Sequence, residues 1–177
     1  MRNKTRAERD VGDAVPYERA RGYTPRKDDA MDHEFYMQQA LALAREAAAH
    51  GEVPVGCVIV RDGKIIGRGR NRREKGKTAL AHAELEAIGE ACRTLGGWRL
   101  WQCTLYVTLE PCPMCAGAIL NARIRRVFYG ARDDVMGACG GVLNLYMEGF
   151  PRPPQLVGNI CGDECRDVLQ SFFRTIR

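Results

Sequence analysis

The chain has 177 residues, 27 Lys and Arg against 22 Asp and Glu, a net charge of +5 and 45% hydrophobic residues. That length holds one domain with a two- or three-layer core, and no run approaches the roughly 20 apolar residues that span a bilayer. The first residues lack the apolar stretch of a secretory signal, so no export is expected and the cytoplasm is the expected location.

Residues 1–30 carry many charges, Pro16 and Pro25 and no helical or strand period, which predicts a flexible charged tail ahead of a domain over 31–177. From Asp32 onward, Met37, Ala40, Leu41, Ala44, Ala47 and Ala48 recur at helical spacing until Gly51 and Pro54 end the run. Two β-branched runs, Val55 to Val60 and Ile65 to Gly67, flank Asp62-Gly63 and predict a hairpin. After a polar loop with Gly76, a second helix starts near Ala81, carries Leu85, Ala87, Ile88 and Ala91, and ends near Gly96-Gly97. Cys103 to Leu109 reads as a third strand. Pro111-Cys112-Pro113-Met114-Cys115 opens a third helix reaching about Leu120, and Arg126 to Tyr129 is a fourth strand. A stretch rich in Gly and Pro leads to a closing helix, Asp163 to Thr175, with Val168, Leu169, Phe172 and Phe173 on its apolar side. No internal repeat is visible. This order predicts an α/β fold, a three-layer α/β/α sandwich around a mixed central sheet, with at least one parallel strand pair joined by a right-handed crossover.

The chemistry concentrates in two segments. His82-Ala83-Glu84 and Cys112 to Cys115 supply one imidazole, two thiols and a carboxylate. A structural zinc site closes with four protein ligands, whereas a catalytic one uses three and leaves a position open. The set therefore reads as one Zn²⁺ per chain on His82, Cys112 and Cys115, with Glu84 left over for proton transfer. His82 and Cys112 both fall at predicted helix starts, where the positive end of the helix favours a thiolate. Cys112 and Cys115, three apart, share a helical face. Glu84 can take a proton from the metal's water and pass it to a ring nitrogen of a base, which is hydrolytic deamination. The spacing H-x-E then P-C-x-x-C is the signature of the zinc base deaminases. A bare C-x-x-C would equally be a redox motif; the joint occurrence favours the hydrolase. The other six cysteines read as buried free thiols, and Cys161 with Cys165 has too few neighbouring donors for a second metal. His33 and His50 read as surface residues.

Beyond the zinc motif, the chain resembles the bacterial tRNA-specific adenosine deaminases of the cytidine deaminase-like superfamily, from about Asp32 to the C-terminus. The resemblance rests on Val53-Pro54-Val55-Gly56, Asn71, Ala81-His82-Ala83-Glu84, Leu109-Glu110-Pro111-Cys112, Gly130-Ala131-Arg132-Asp133 and Phe172-Phe173-Arg174. It implies conversion of adenosine to inosine at the wobble position of tRNA by a homodimer that binds the anticodon stem-loop. It also implies that His82, Cys112 and Cys115 bind zinc, that Glu84 shuttles protons, that Asn71 hydrogen-bonds the flipped base, that Asp133 lies near a flanking nucleotide and that Arg174 lies near the anticodon backbone. Asn71 is also readable as a turn residue closing its strand. Thr78-Ala79-Leu80 and Met136 depart from the family pattern at the rim of the expected pocket. Two rivals remain: a deaminase of a free base or nucleoside (guanine, cytosine or cytidine) with the same zinc site, and a non-catalytic RNA-binding subunit that keeps zinc for stability. Arg123-Ile124-Arg125-Arg126 leans towards RNA, and Glu84, which stability alone does not need, argues against a purely structural role.

Overall fold

Capping and turn chemistry set the element boundaries. In the computed structural model, which describes residues 32–175, the Asp32 side chain accepts the Phe35 N–H at 2.9 Å and starts α1 (His33–Ala49), an N-cap of the usual kind. Met37, Ala40, Leu41, Ala44 and Ala47 are all fully buried, as their spacing requires. Asp62 and Gly63, both at positive φ, turn β1 (Gly56–Arg61) into β2 (Lys64–Arg70). A single turn, α2 (Arg73–Gly76), precedes α3 (Ala83–Leu95), which ends on left-handed Gly96. Then follow β3 (Thr104–Leu109), α4 (Pro113–Ala122), β4 (Arg126–Ala131), a 3₁₀ turn at Leu145–Met147, β5 (Gln155–Val157) and α5 (Gly162–Thr175). The expected N-terminal tail lies outside the described residues.

The five strands form one sheet in the order β2-β1-β3-β4-β5. β1 is antiparallel to β2 and β3, while β3, β4 and β5 run parallel. The mixed sheet and the β3–α4–β4 crossover match the expectation. On one face, α1 and α5 cover Val58, Val60, Tyr106 and Phe128; on the other, α3 and α4 cover Cys57, Ile59, Leu105, Val107 and Val127. Because β1, β3 and β4 are buried on both faces, they read as continuous apolar runs rather than alternating ones. Burying each large aliphatic side chain in these layers contributes about 1.5–3 kcal/mol.

The helix carrying His82 sits directly on the hairpin. A Cβ at Gly69 would lie 2.0 Å from the Ala83 carbonyl oxygen, and one at Gly67 would lie 2.3 Å from that of Ala87. Glycine in β2 thus fixes how closely the first turn of α3 approaches the sheet.

Three expectations are corrected. His33 is buried, not on the surface: its Nδ1 is 2.8 Å from the Tyr106 hydroxyl and its ring stacks on Phe128 at 4.2 Å. A helix N-terminus over an aromatic sheet face leaves its first residue no route to solvent. Cys92 and Cys161 are only half-buried, unlike Cys57, Cys103, Cys139 and Cys165, which are buried. Strand β5 was not expected; three residues beside Pro151, Pro153 and Pro154 are too few to show a period. Among the described residues no helix is long and apolar enough to cross a membrane.

Candidate active site

Parallel strands β3 and β4 end side by side, with Leu109 paired to Ala131, and the candidate site is built beyond those carboxyl ends, where open α/β sheets bind their ligands. Cys112 follows β3 and is the N-cap of α4, with Pro113 at the first helical position; a missing proline N–H costs nothing there. His82 is the N-cap of α3. Neither side chain caps its own helix, so both remain available to a ligand, and the positive ends of two helices converge on one point.

His82, Cys112 and Cys115 come together as a group that could hold a metal ion. Nδ1 of His82 lies 3.7 Å from Sγ of Cys112 and 3.5 Å from Sγ of Cys115, and the three donor atoms all lie within 4.8 Å of one another. A tetrahedral ion with bonds of about 2.3 Å to sulfur and about 2.0–2.1 Å to nitrogen sets such N···S edges at about 3.5–3.6 Å. The geometry therefore fits zinc. The electrostatics agree with it. The Cys112 thiol is lowered to about 4, first by its hydrogen bond to Cys115, while Cys115 is driven far upward by that same bond and by burial. Two adjacent sulfurs can both ionise only with a cation between them. His82 is raised, chiefly by its hydrogen bond to Cys112.

Glu84, one residue into α3, is buried. Burial pushes its carboxyl up to about 7, and the charge of Cys112 adds to the shift. A carboxyl titrating near neutrality beside a three-donor metal site can both accept and release a proton.

Two further carboxylates, given no role in the sequence reading, hold the loops around this centre. Glu110, buried at the end of β3, accepts N–H groups of Cys139 and Gly141 on Oε1, both at 2.8 Å, and of Asp133 on Oε2 at 3.1 Å. Glu52, also buried, accepts the N–H groups of Glu74 at 3.1 Å and Lys75 at 2.8 Å and so fixes α2. An acidic residue at the end of an apolar strand was the available signal for Glu110. Glu52 gave none, because its partners lie 22 and 23 residues away.

Asn71 follows β2, is 5% exposed, and its backbone N–H donates to the Val55 carbonyl at 3.0 Å. Its side-chain amide makes no hydrogen bond to a described residue. Asp133, after β4, spends Oδ1 on its own loop, accepting from Val135 at 2.9 Å and Met136 at 3.0 Å. Arg174 is exposed in the last turn of α5, its Nε donating to the Gln170 carbonyl at 3.4 Å, and has no described bond to the metal-site residues. The structure thus joins His82, Cys112, Cys115 and Glu84 and leaves Arg174 apart from them.

Residues 30–131 match the family described as the cytidine and deoxycytidylate deaminase zinc-binding region. A tRNA-specific adenosine deaminase of Bacillus subtilis is 46% identical over 145 residues, spanning 81% of this chain and 90% of that protein. A solved structure from work on A-to-I editing by tRNA wobble-position deaminases superposes with a TM-score of 0.71 at 41% identity, over 76% of this chain and 99% of the other. A guanine deaminase structure from Bacillus subtilis gives 0.55 at 46% identity over 58% of this chain and 66% of that one. With the zinc-binding region over more than half its length and such identity across nearly the whole of a relative, the chain belongs to the tRNA-specific adenosine deaminases of the cytidine deaminase-like, zinc-binding family.

Proposed function

We propose that the protein hydrolyses the 6-amino group of adenosine at the wobble position of tRNA, giving inosine and ammonia, with His82, Cys112 and Cys115 holding one zinc and Glu84 carrying the protons. The observation that carries this reading is the approach of His82 Nδ1 to both sulfurs, at 3.7 and 3.5 Å, with Glu84 buried two residues further along the chain. Zinc held there supplies a water whose pKa falls from 15.7 towards about 7. Glu84 would take one proton from the attacking water and deliver it to a ring nitrogen of the base, then take the second from the hydroxyl added to the base carbon and deliver it to the departing amine. Water and adenosine are consumed, inosine and ammonia are released, and the carboxyl ends as it began. Asn71, 5% exposed, presents an amide with no hydrogen-bond partner among the described residues, suited to the edge of a base taken out of its stack. Asp133 shapes the loop beside a flanking nucleotide, and Arg174 contacts the anticodon backbone. The names of the relatives support the tRNA substrate. A homodimer acting in the cytoplasm completes the reading.

The likeness to a guanine deaminase favours a second reading, a free-base deaminase with the same zinc centre. An assay with an anticodon stem-loop bearing wobble adenosine, alongside adenosine, guanine and cytidine, separates the two. Inosine in the stem-loop alone is the expected result; turnover of a free base alone transfers the function to the second reading. Glu84→Ala is the control, binding zinc and RNA without turnover.

A further inference from the structure

At the opposite end of the sheet from the metal donors, Trp98, Arg99, Trp101, Arg123, Arg125 and Arg152 line a pocket of about 350 Å³. Trp101 precedes β3, Arg125 precedes β4 and Arg152 precedes β5, so the pocket opens at the amino ends of the strands whose carboxyl ends carry the candidate active site. Its walls are fixed: the Leu100 N–H donates to the Ala122 carbonyl at 2.7 Å, and that of Gln155 donates to the Arg125 carbonyl at 2.8 Å.

We infer that this pocket is a second nucleic-acid site, which takes a nucleotide of single-stranded RNA with its base on a tryptophan and its phosphates on the arginines. Two observations carry it. First, the four arginines form no ion pair with any described acidic residue, so like charges crowd one concavity without compensation, a situation that an anion relieves. Second, both tryptophans of the chain are here and half-exposed, at 50% and 53%. Arg99 lies over the Trp98 ring at 4.2 Å, and among the described residues none stacks on Trp101; a large aromatic left open beside cations is the usual platform for a base. Phosphate contact alone would need no aromatic ring, and a folded protein partner would need apolar area beyond two indoles.

Because both tryptophans line the pocket, intrinsic tryptophan emission reports on it directly. The test titrates the full chain with a short oligouridylate, which offers no amino group to a deaminase. Uridine monophosphate and heparin are titrated in parallel, and the Arg123→Ala/Arg125→Ala and Trp101→Ala variants are compared at equal zinc content and circular dichroism. The expected result is quenching by oligouridylate that weakens as salt rises, with affinity about tenfold lower in each variant. Absence of quenching, equal affinity in the variants, saturation by the mononucleotide at the same concentration, or equal quenching by heparin each overturns the inference.

Discussion

The Glu110 carboxylate accepts the backbone N–H of Cys139 at 2.8 Å, 29 residues along the chain, and so ties the end of β3 to the loop after β4. The same oxygen holds Gly141, the other oxygen holds Asp133, and a Cβ at Gly137 would lie 2.6 Å from the carboxyl group. Since Pro111 and Cys112 follow directly, the loop and the sulfur ligands share one anchor. In Glu110→Gln, the amide oxygen keeps Cys139 and Gly141 while its NH₂ faces the Asp133 N–H. Hydrogen bonds to a charged acceptor contribute about 1.5–3 kcal/mol each, so denaturant unfolding should show a loss of about 2–4 kcal/mol. Hydrogen exchange should accelerate at Asp133 far more than at Cys139; equal acceleration at both would contradict this division.

Gly69→Ala should damage the site from behind. The new Cβ would meet the Ala83 carbonyl at 2.0 Å and the Ala87 nitrogen at 2.6 Å, both backbone atoms, so α3 must move as a body. Overpacking of this kind costs about 1–3 kcal/mol. His82 and Glu84 ride on that first turn, so zinc affinity should fall together with stability. Unchanged zinc stoichiometry under a competing chelator would show that the helix yields elsewhere.

Removing the metal should loosen the two helix starts at once. His82 and Cys112 occupy the N-cap positions of α3 and α4, and only a cation lets both sulfurs be thiolates. Treatment with a chelator is expected to abolish turnover, lower the thermal midpoint and expose two fast-reacting thiols, with added zinc restoring all three. A ligand that binds only the native state at a hundred times its Kd stabilises it by about 2.7 kcal/mol, which sets the scale of the shift. Cys115→Ala should lose metal and stability together; a folded variant with one zinc per chain would remove Cys115 from the ligand set.

Much of this arrangement was legible in the sequence because its signals are local. Asp62-Gly63 marks a hairpin without reference to the rest of the chain, and the spacing of Met37, Ala40, Leu41 and Ala44 needs only one helix. The three donors that could hold a metal were easy to pick out because two short motifs each sit at a helix start. What escaped depends on distant partners. Glu52 is buried by backbone groups of α2, and His33 by Tyr106 and Phe128 from two strands of the sheet. The use of Asp133 Oδ1 within its own turn follows from a backbone path that Glu110 imposes. The pocket of Trp98, Trp101 and the arginines is assembled from three separate connections, so only the Arg123 to Arg126 run hinted at it.

Buried thiols away from the metal should make the fold sensitive to alkali. Burial pushes Cys103 up to about 11 and Cys165 up to about 12, against about 8.5 in an unfolded chain. The folded state therefore holds these protons where the unfolded state has released them. Stability is unaffected below about pH 8 and falls as pH rises through the interval up to the folded values, by up to about 1.4 kcal/mol per pH unit for each thiol. Denaturant titrations at stepwise higher pH should show this slope. Cys103→Ala should lessen it after allowing for its own cavity cost; an unchanged slope would locate the alkaline loss elsewhere.

Asn71→Ala separates a base contact from a strand-closing role. The backbone N–H that closes the strand on Val55 belongs to any residue at this position, so the side chain is not needed for it. Its amide has no described partner and the residue is 5% exposed. Truncating a buried polar group that is bonded within the protein strands its partner, at about 1–3 kcal/mol; here there is no partner to strand. Unfolding free energy should therefore stay within about 0.5 kcal/mol of the parent. Turnover should respond differently, because the base would lose its hydrogen bonds where water is excluded. A fall of about tenfold to a hundredfold in kcat/KM on the wobble stem-loop is expected, one to two lost hydrogen bonds at about 1.4 kcal/mol per factor of ten. Loss of stability with kcat/KM intact would return Asn71 to the strand end as a structural residue.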